Sequence, residues 1–352
     1  IYIQKIKIFS LIFFALIVCT SCEDYLEEEP RTQVDINAFY ENESDALAGL
    51  TGAYAQLKTG NGYYRQQFLS NMFAASDQGQ SSFNHRDFRF GTITNADPMI
   101  EQSWIFIYRA IKEANSVIAR VPGVPEMDEE LRLRILGEAR FLRALHYFNL
   151  VRCYGEVPLR TAPVEPGEDG LPVSPVSDIY DAIIEDLEFA IANLKEDNGI
   201  YASKYAAKGL LAKVYLNQLE YQKAADQCSD IISSGLFSLT SGSRFVIDGT
   251  TEDIFKIKSE TSNNRSGGYR NNWSSSIKNP TLIASTELFN IFDTADARLN
   301  WFVPENLGTP TEQIKLNKFD NQVFDVPFLN LTEILLTRAE ALAMINSDKQ
   351  TI

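Results

Sequence analysis

Histidine, the side chain best suited to moving protons near neutral pH, occurs twice in 352 residues, as His85 and His146. No HExxH metal spacing, no G-x-S-x-G nucleophile elbow and no phosphate-binding P-loop is present. The sequence therefore predicts no catalytic residue, no metal site and no cofactor. Carboxylates are abundant, 47 in all, so a glycosidase-type acid pair is available by number alone. No spacing sets two of them on a common site, and acids on helices usually form a solvated face. The cysteines are Cys19, Cys22, Cys153 and Cys228. Cys153 and Cys228 lie far apart in apolar patterns and are read as buried reduced thiols. His146 sits in an apolar helical pattern and reads as a buried, hydrogen-bonded histidine. His85, in an irregular stretch, is a weak candidate for ligand contact.

A different chemistry fits two irregular stretches. The first holds Asp77, Gln78, Phe83, Asn84 and Arg86. The second holds Asn263, Asn264, Arg265, Tyr269, Arg270, Asn271, Asn272 and Trp273. Flat aromatics cover the apolar C–H face of a sugar ring, and Asn, Asp and Arg hydrogen-bond its hydroxyl rim. Loops on a rigid scaffold expose such groups. The candidate ligand-binding residues are Trp273, Tyr269, Arg270, Asn272, Asp77, Phe83 and Arg86. Trp273 leads as an exposed platform, and an equal alternative makes it a loop anchor packed on the scaffold. Trp104, on an amphipathic helix, reads as core, and Trp301 fits either role.

Helices must position these loops. Apolar periodicity predicts helices over Asp45 to Leu57, Glu101 to Val121, Asp128 to Tyr154, Lys204 to Leu219, Tyr221 to Ser234, Ala284 to Phe292 and Leu329 to Met344. In the strongest, Leu131, Ile135, Ala139, Leu142, Leu145 and Phe148 share one face. Gly155 and Pro158 end it. Ser177 is the expected N-cap of a helix whose inner face is Tyr180, Ile184, Leu187, Ile191 and Leu194, and Ser203 caps the next. Residues 60–98 and 240–283 have no lasting period. Asp253 to Lys258 is the best strand. Ala139 to Asn149 aligns with Ala207 to Asn217 at an offset of two tetratricopeptide periods. The fold class is thus mainly all-α, a tetratricopeptide-like α-solenoid with long irregular loop insertions.

The formal charge is −15, which disfavours nucleic acid and anionic lipid as partners of the protein surface. Lys5 and Lys7 precede an apolar run from Ile8 to Val18, too short to span a bilayer and of the size of a signal-peptide core. Cys19-Thr20-Ser21-Cys22 resembles a lipobox, with Ser21 before an acylated Cys22. Residues 1–21 are the expected signal peptide and residues 22–40 a lipidated acidic tether. The acidic run Glu23 to Glu29 is also similar to the export signal of surface lipoproteins of Bacteroidetes-type bacteria.

The block Glu138-Ala139-Arg140-Phe141-Leu142-Arg143-Ala144, then Tyr147-Phe148 and Leu150 to Leu159, resembles the SusD/RagB family of nutrient-binding outer-membrane lipoproteins. Trp104, Tyr108, Ile111, Ala114-Asn115 and Ile118 are similar to the family block before it, and Tyr180, Ile184, Asp186-Leu187, Ala190 and Leu194 to the one after. Glu252 to Phe255 and Ala339 to Ala341 match shorter motifs. The resemblance implies a SusD-like helical-repeat domain over 41–352, expected to be incomplete at its C-terminus. It further implies a glycan ligand, a SusC-like TonB-dependent β-barrel partner and a lipid-anchored place at the outer membrane. Peptide or glycoprotein binding, or a protein-only adaptor role, are the alternatives.

Overall fold

Short polar side chains satisfy the free N–H groups that open a helix. Asn42 accepts from Asp45 N ahead of α1 (Glu43–Gln56). Asp97 accepts from Met99 N ahead of α2 (Pro98–Arg120). Asp128 accepts from Leu131 N ahead of α3 (Glu129–Tyr154). Helix α4 (Val176–Asn193) opens after Pro175 with no side-chain cap. Ser177, the expected cap, lies inside it and donates to Asp178. Ser203 caps α5 (Lys204–Asn217) as expected, and α6 (Tyr221–Ser233) follows. Gly155 ends α3 with φ of +71°, a conformation open to glycine, and returns its N–H to Val151 O. The computed structural model describes residues 39–58, 72, 76, 78–81, 91–94, 97–164, 167–168, 170–242, 245–246, 249–259 and 267–350.

Consecutive helices from α1 to α6 pack side against side, the stacking expected of an α-solenoid. The 68-residue internal offset has a physical counterpart. Ala139, Leu142, Ala144 and Tyr147 of α3 are buried, and so are their counterparts Ala207, Leu210, Ala212 and Tyr215 of α5. Helix α3 departs from the one-face expectation. From Ile135 to Val151 nearly every side chain is buried, because α2 and α4 cover it from two sides. On α4 the buried set is Ile179, Tyr180, Ile183, Asp186, Leu187 and Ala190. Ile184 and Ile191 are only partly buried. The face is turned because Asp186 points inward to Arg143.

Short strands, one between α1 and α2 and the others after α6, add to the solenoid. Strand β1 (Gly79–Ser81) comes from the first irregular stretch. The second yields β2 (Asp253–Ile257), α7 (Gly267–Trp273) and β3 (Leu282–Ala284). Then come α8 (Thr286–Asn290), β4 (Phe302–Glu305), β5 (Gln313–Leu316), β6 (Val326–Asn330) and α9 (Leu331–Gln350). The sheet order is β1-β3-β5-β4, and β2 pairs antiparallel with β6. Helix α9 returns to pack on α6 and α5. Among the described residues no helix is long and apolar enough to cross a membrane.

Candidate functional site

The two irregular stretches meet in one sheet. Strand β1 pairs antiparallel with β3, setting Gly79 opposite Ala284, Gln80 opposite Ile283 and Ser81 opposite Leu282. Ser285 N also donates to Gln78 O at 2.9 Å. Asp77, Phe83 and Arg86 lie outside the described residues, as do Cys22, Asn263, Asn264 and Arg265; Asp77 precedes β1 by two residues. Helix α7, nine residues before β3, carries the rest of the expected set, with the Tyr269 side chain also outside the described residues.

Trp273 is not an exposed platform. It is 9% exposed and meets Phe319 edge-on, 5.0 Å between ring centres at 90°. Phe319 in turn packs on Phe245 and Phe324. The last residue of α7 is thus turned into an aromatic part of the hydrophobic core, the anchoring alternative. Asn272 is buried beside it and is corrected in the same way. Arg270 is partly exposed, its Nη2 donating to Ser276 Oγ at 3.0 Å, and Asn271 is exposed. Next to them Asp320 accepts from the hydroxyls of Ser274 and Ser275, each at 2.6 Å. Trp301 is half-buried, and Lys318 Nζ lies 5.7 Å from its ring centre. This face therefore offers amide, guanidinium and hydroxyl groups around partly exposed aromatic surface.

A second concavity, of about 360 Å3, lies on α2. Trp104, expected as core, is half-buried and forms its wall with Tyr108. Their rings sit 4.9 Å apart, and Tyr154 backs Trp104 edge-on at 5.1 Å. The facing wall is the strap after α3, and buried polar groups clamp it. Tyr108 donates to Pro158 O at 2.8 Å. Asn115 donates to Arg160 O at 2.9 Å. Tyr147 both donates to Arg160 O and accepts from Arg160 N, at 2.7 Å each. Arg143 donates to Thr161 O and to Asn115 Oδ1, and grips Asp186 with two bonds of 2.7 and 2.8 Å. The guanidinium fork matches a carboxylate in this bidentate form.

A cleft of about 790 Å3 lies among α3, α4, α5, β6 and α9. Lys213 and Glu333 pair across it at 2.6 Å, and Tyr180 donates to Asn217 Oδ1 at 2.5 Å. Cys153 lines this cleft and is exposed, which corrects its expected burial; Cys228 is buried. The difference arises at the end of α3, where Cys153 lies beyond the helices that cover the middle. His146 is fully buried, and desolvation pushes its pKa from 6.5 down to about 3, so it is neutral. Among the described residues no group of His, Cys, Asp and Glu could hold a metal ion.

Sequence reasoning missed the α2 pocket. The signal was there, since Trp104, Tyr108 and Lys112 recur at helical spacing. The same spacing also describes a core stripe, and the strap that opens the pocket is not local to α2.

Three comparisons bear on the chain. Residues 24–216, more than half of it, match a family model described as "SusD-like_3: Starch-binding associating with outer membrane". SusD-like protein P25 of Formosa agariphila is 26% identical over 337 residues, which cover 90% of this chain and 61% of that protein. SusD-like protein P38 of the same organism is 31% identical over 243 residues, 67% of this chain and 47% of that protein. The chain thus spans less than two thirds of the length of these curated relatives. A solved SusD superfamily protein from Bacteroides thetaiotaomicron superposes with a TM-score of 0.77 at 24% identity, covering 88% of this chain and 78% of that one. A structure titled "Laminarin binding SusD-like protein" gives 0.70 at 25% identity, covering 86% and 81%. With the tetratricopeptide-like solenoid and its strand layer in place, the chain belongs to the SusD-like family.

Proposed function

We propose that this protein is a non-catalytic surface lipoprotein that captures glycan and passes it to a SusC-like TonB-dependent β-barrel. The single observation that carries the reading is the β1–β3 pairing, which joins two amide- and aromatic-rich stretches at one face of the scaffold. Capture needs only a preformed face with hydrogen-bonding groups around aromatic surface, and Arg270, Asn271 and the partly exposed Ser275–Asp320 pair supply the polar part. The family description names starch binding in association with the outer membrane, and a structural relative is titled for laminarin binding; both support a polysaccharide ligand. In this reading Cys22 carries the lipid, residues 22–40 form the tether, and the domain faces the cell exterior. Asp77, Phe83, Arg86 and Tyr269 remain proposed contacts.

The test is affinity electrophoresis of a soluble version beginning after residue 22, run through gels containing a panel of neutral polysaccharides. Retardation by at least one glycan is expected. Arg270→Ala combined with Asn271→Ala should weaken it several-fold with the helical circular dichroism unchanged. Migration identical in every gel, by a folded protein, rejects capture of these glycans.

A further inference from the structure

We propose that the pocket between α2 and the strap after α3 binds an acidic sugar unit, a ring bearing a carboxylate or sulfate. The inference takes its ligand class from the capture reading above, but it concerns a separate site. Two observations carry it. First, Trp104 and Tyr108 offer aromatic surface in a concavity of about 360 Å3, within the range of small-ligand sites. Second, the pocket's charges are one-sided. Arg109 and Lys112, one turn apart on α2, and Arg160 on the strap all line it. Arg160 is paired with Glu168 at 2.7 Å. Arg109 and Lys112 are exposed, and among the described residues neither has a carboxylate partner. In a chain of net charge −15, two unneutralised cations at an aromatic pocket complement an anion.

The strap makes the pocket preformed. Its carbonyls at Pro158, Arg160 and Thr161 are held by Tyr108, Asn115, Tyr147 and Arg143, so little ordering is needed on binding. The aromatic wall takes the ring face, and the cations take the acid group. Ile105, 37% exposed, and Val164, 52% exposed, edge the opening and would also accept an apolar side chain, so an acidic protein segment is the competing occupant.

Quenching of intrinsic fluorescence reads the pocket, because Trp104 lines it. Trigalacturonate tests the carboxylate and a sulfated galactose disaccharide the sulfate, each beside its neutral counterpart. Expected are quenching by at least one acidic probe and a weaker response to its neutral form. Arg109→Gln combined with Lys112→Gln should cut affinity about tenfold or more, and Trp104→Phe should remove the signal. Added salt should weaken binding. The double variant should leave retardation by neutral glycans unchanged, which keeps this site distinct from the strand face.

Neutral glycans retarding the protein while no acidic probe quenches would overturn the pocket and leave the capture reading standing. Acidic probes binding through Arg109 and Lys112 with no neutral retardation would uphold the pocket and reject the strand face. Acidic probes binding equally to the double variant would overturn the pocket, as would quenching by a Glu/Tyr copolymer alone, which would assign it to protein.

Discussion

Arg143 holds three things at once: Asp186 on α4, Asn115 on α2 and Thr161 O on the strap. The side chains of Arg143, Asp186 and Asn115 are buried. Removing one partner leaves the other charge uncompensated in a medium that solvates it poorly. Arg143→Ala is therefore expected to cost about 3–5 kcal/mol, read from urea unfolding, and to loosen the strap, read from hydrogen exchange after Tyr154. An unchanged unfolding midpoint would show that the network is not needed for stability. His146 makes a prediction in pH. Its folded pKa is about 3 against 6.5 unfolded, so below pH 6.5 the unfolded chain takes up a proton that the folded chain refuses. The stabilising contribution is complete above pH 6.5 and is lost as pH falls toward 3, by about 1.4 kcal/mol per unit well below 6.5. His146→Gln should flatten that slope relative to the parent. Parallel pH profiles for the two proteins would contradict it.

Helices approach closely where a side chain is missing. At Gly137 on α3 an added Cβ would stand 3.0 Å from Leu194 Cδ2 and 3.1 Å from its Cγ, with Leu194 itself buried. At Gly209 on α5 the nearest atom, the tip of Ile334, is 3.3 Å away. Gly137→Val is expected to cost about 1–3 kcal/mol by overpacking. Gly209→Ala gains helix propensity of about 1 kcal/mol against a slight displacement and should be close to neutral. Thermal melts of both variants decide it, and equal losses would refute the difference. The helices were legible from sequence because their signals are local: Ser203 caps α5 as expected, whereas Asp97 caps an α2 that opens at Pro98, ahead of the expected Glu101. The strands other than β2 were not. They run three to five residues, and β1 finds β3 some two hundred residues away, a pairing no window contains. The site was half legible for the same reason. The sequence marks Trp273 as an aromatic in polar surroundings, but Phe319, which covers it, lies 46 residues on. Trp104 errs the other way, since its partner wall belongs to the strap.

The solenoid fixes a frame, and the strand layer decides what that frame presents. If β1–β3 is the joint that brings the two stretches together, a covalent link there should form readily and leave the binding face intact. Gln80 and Ile283 are register partners, both half-buried. Opposed residues on antiparallel strands have Cα atoms about 4.5–5.5 Å apart, inside the span of a disulfide. Cys153 is an exposed thiol and must first be replaced, as Cys153→Ser. In that background Gln80→Cys with Ile283→Cys should oxidise to one intramolecular disulfide, seen by non-reducing peptide mapping. Gln80→Cys with Val303→Cys should not, because β4 lies at the far edge of the sheet from β1. Closing a loop of some two hundred residues would raise stability by at most about 5 kcal/mol in the chain-entropy picture. The locked protein should be retarded by neutral glycan at least as strongly as the reduced one, because a face already ordered has less to lose on binding. Failure of the first pair to oxidise would reject the joint itself. Oxidation with loss of retardation would mean that the two stretches separate to admit ligand, and that capture depends on motion across β1–β3 rather than on a preformed face.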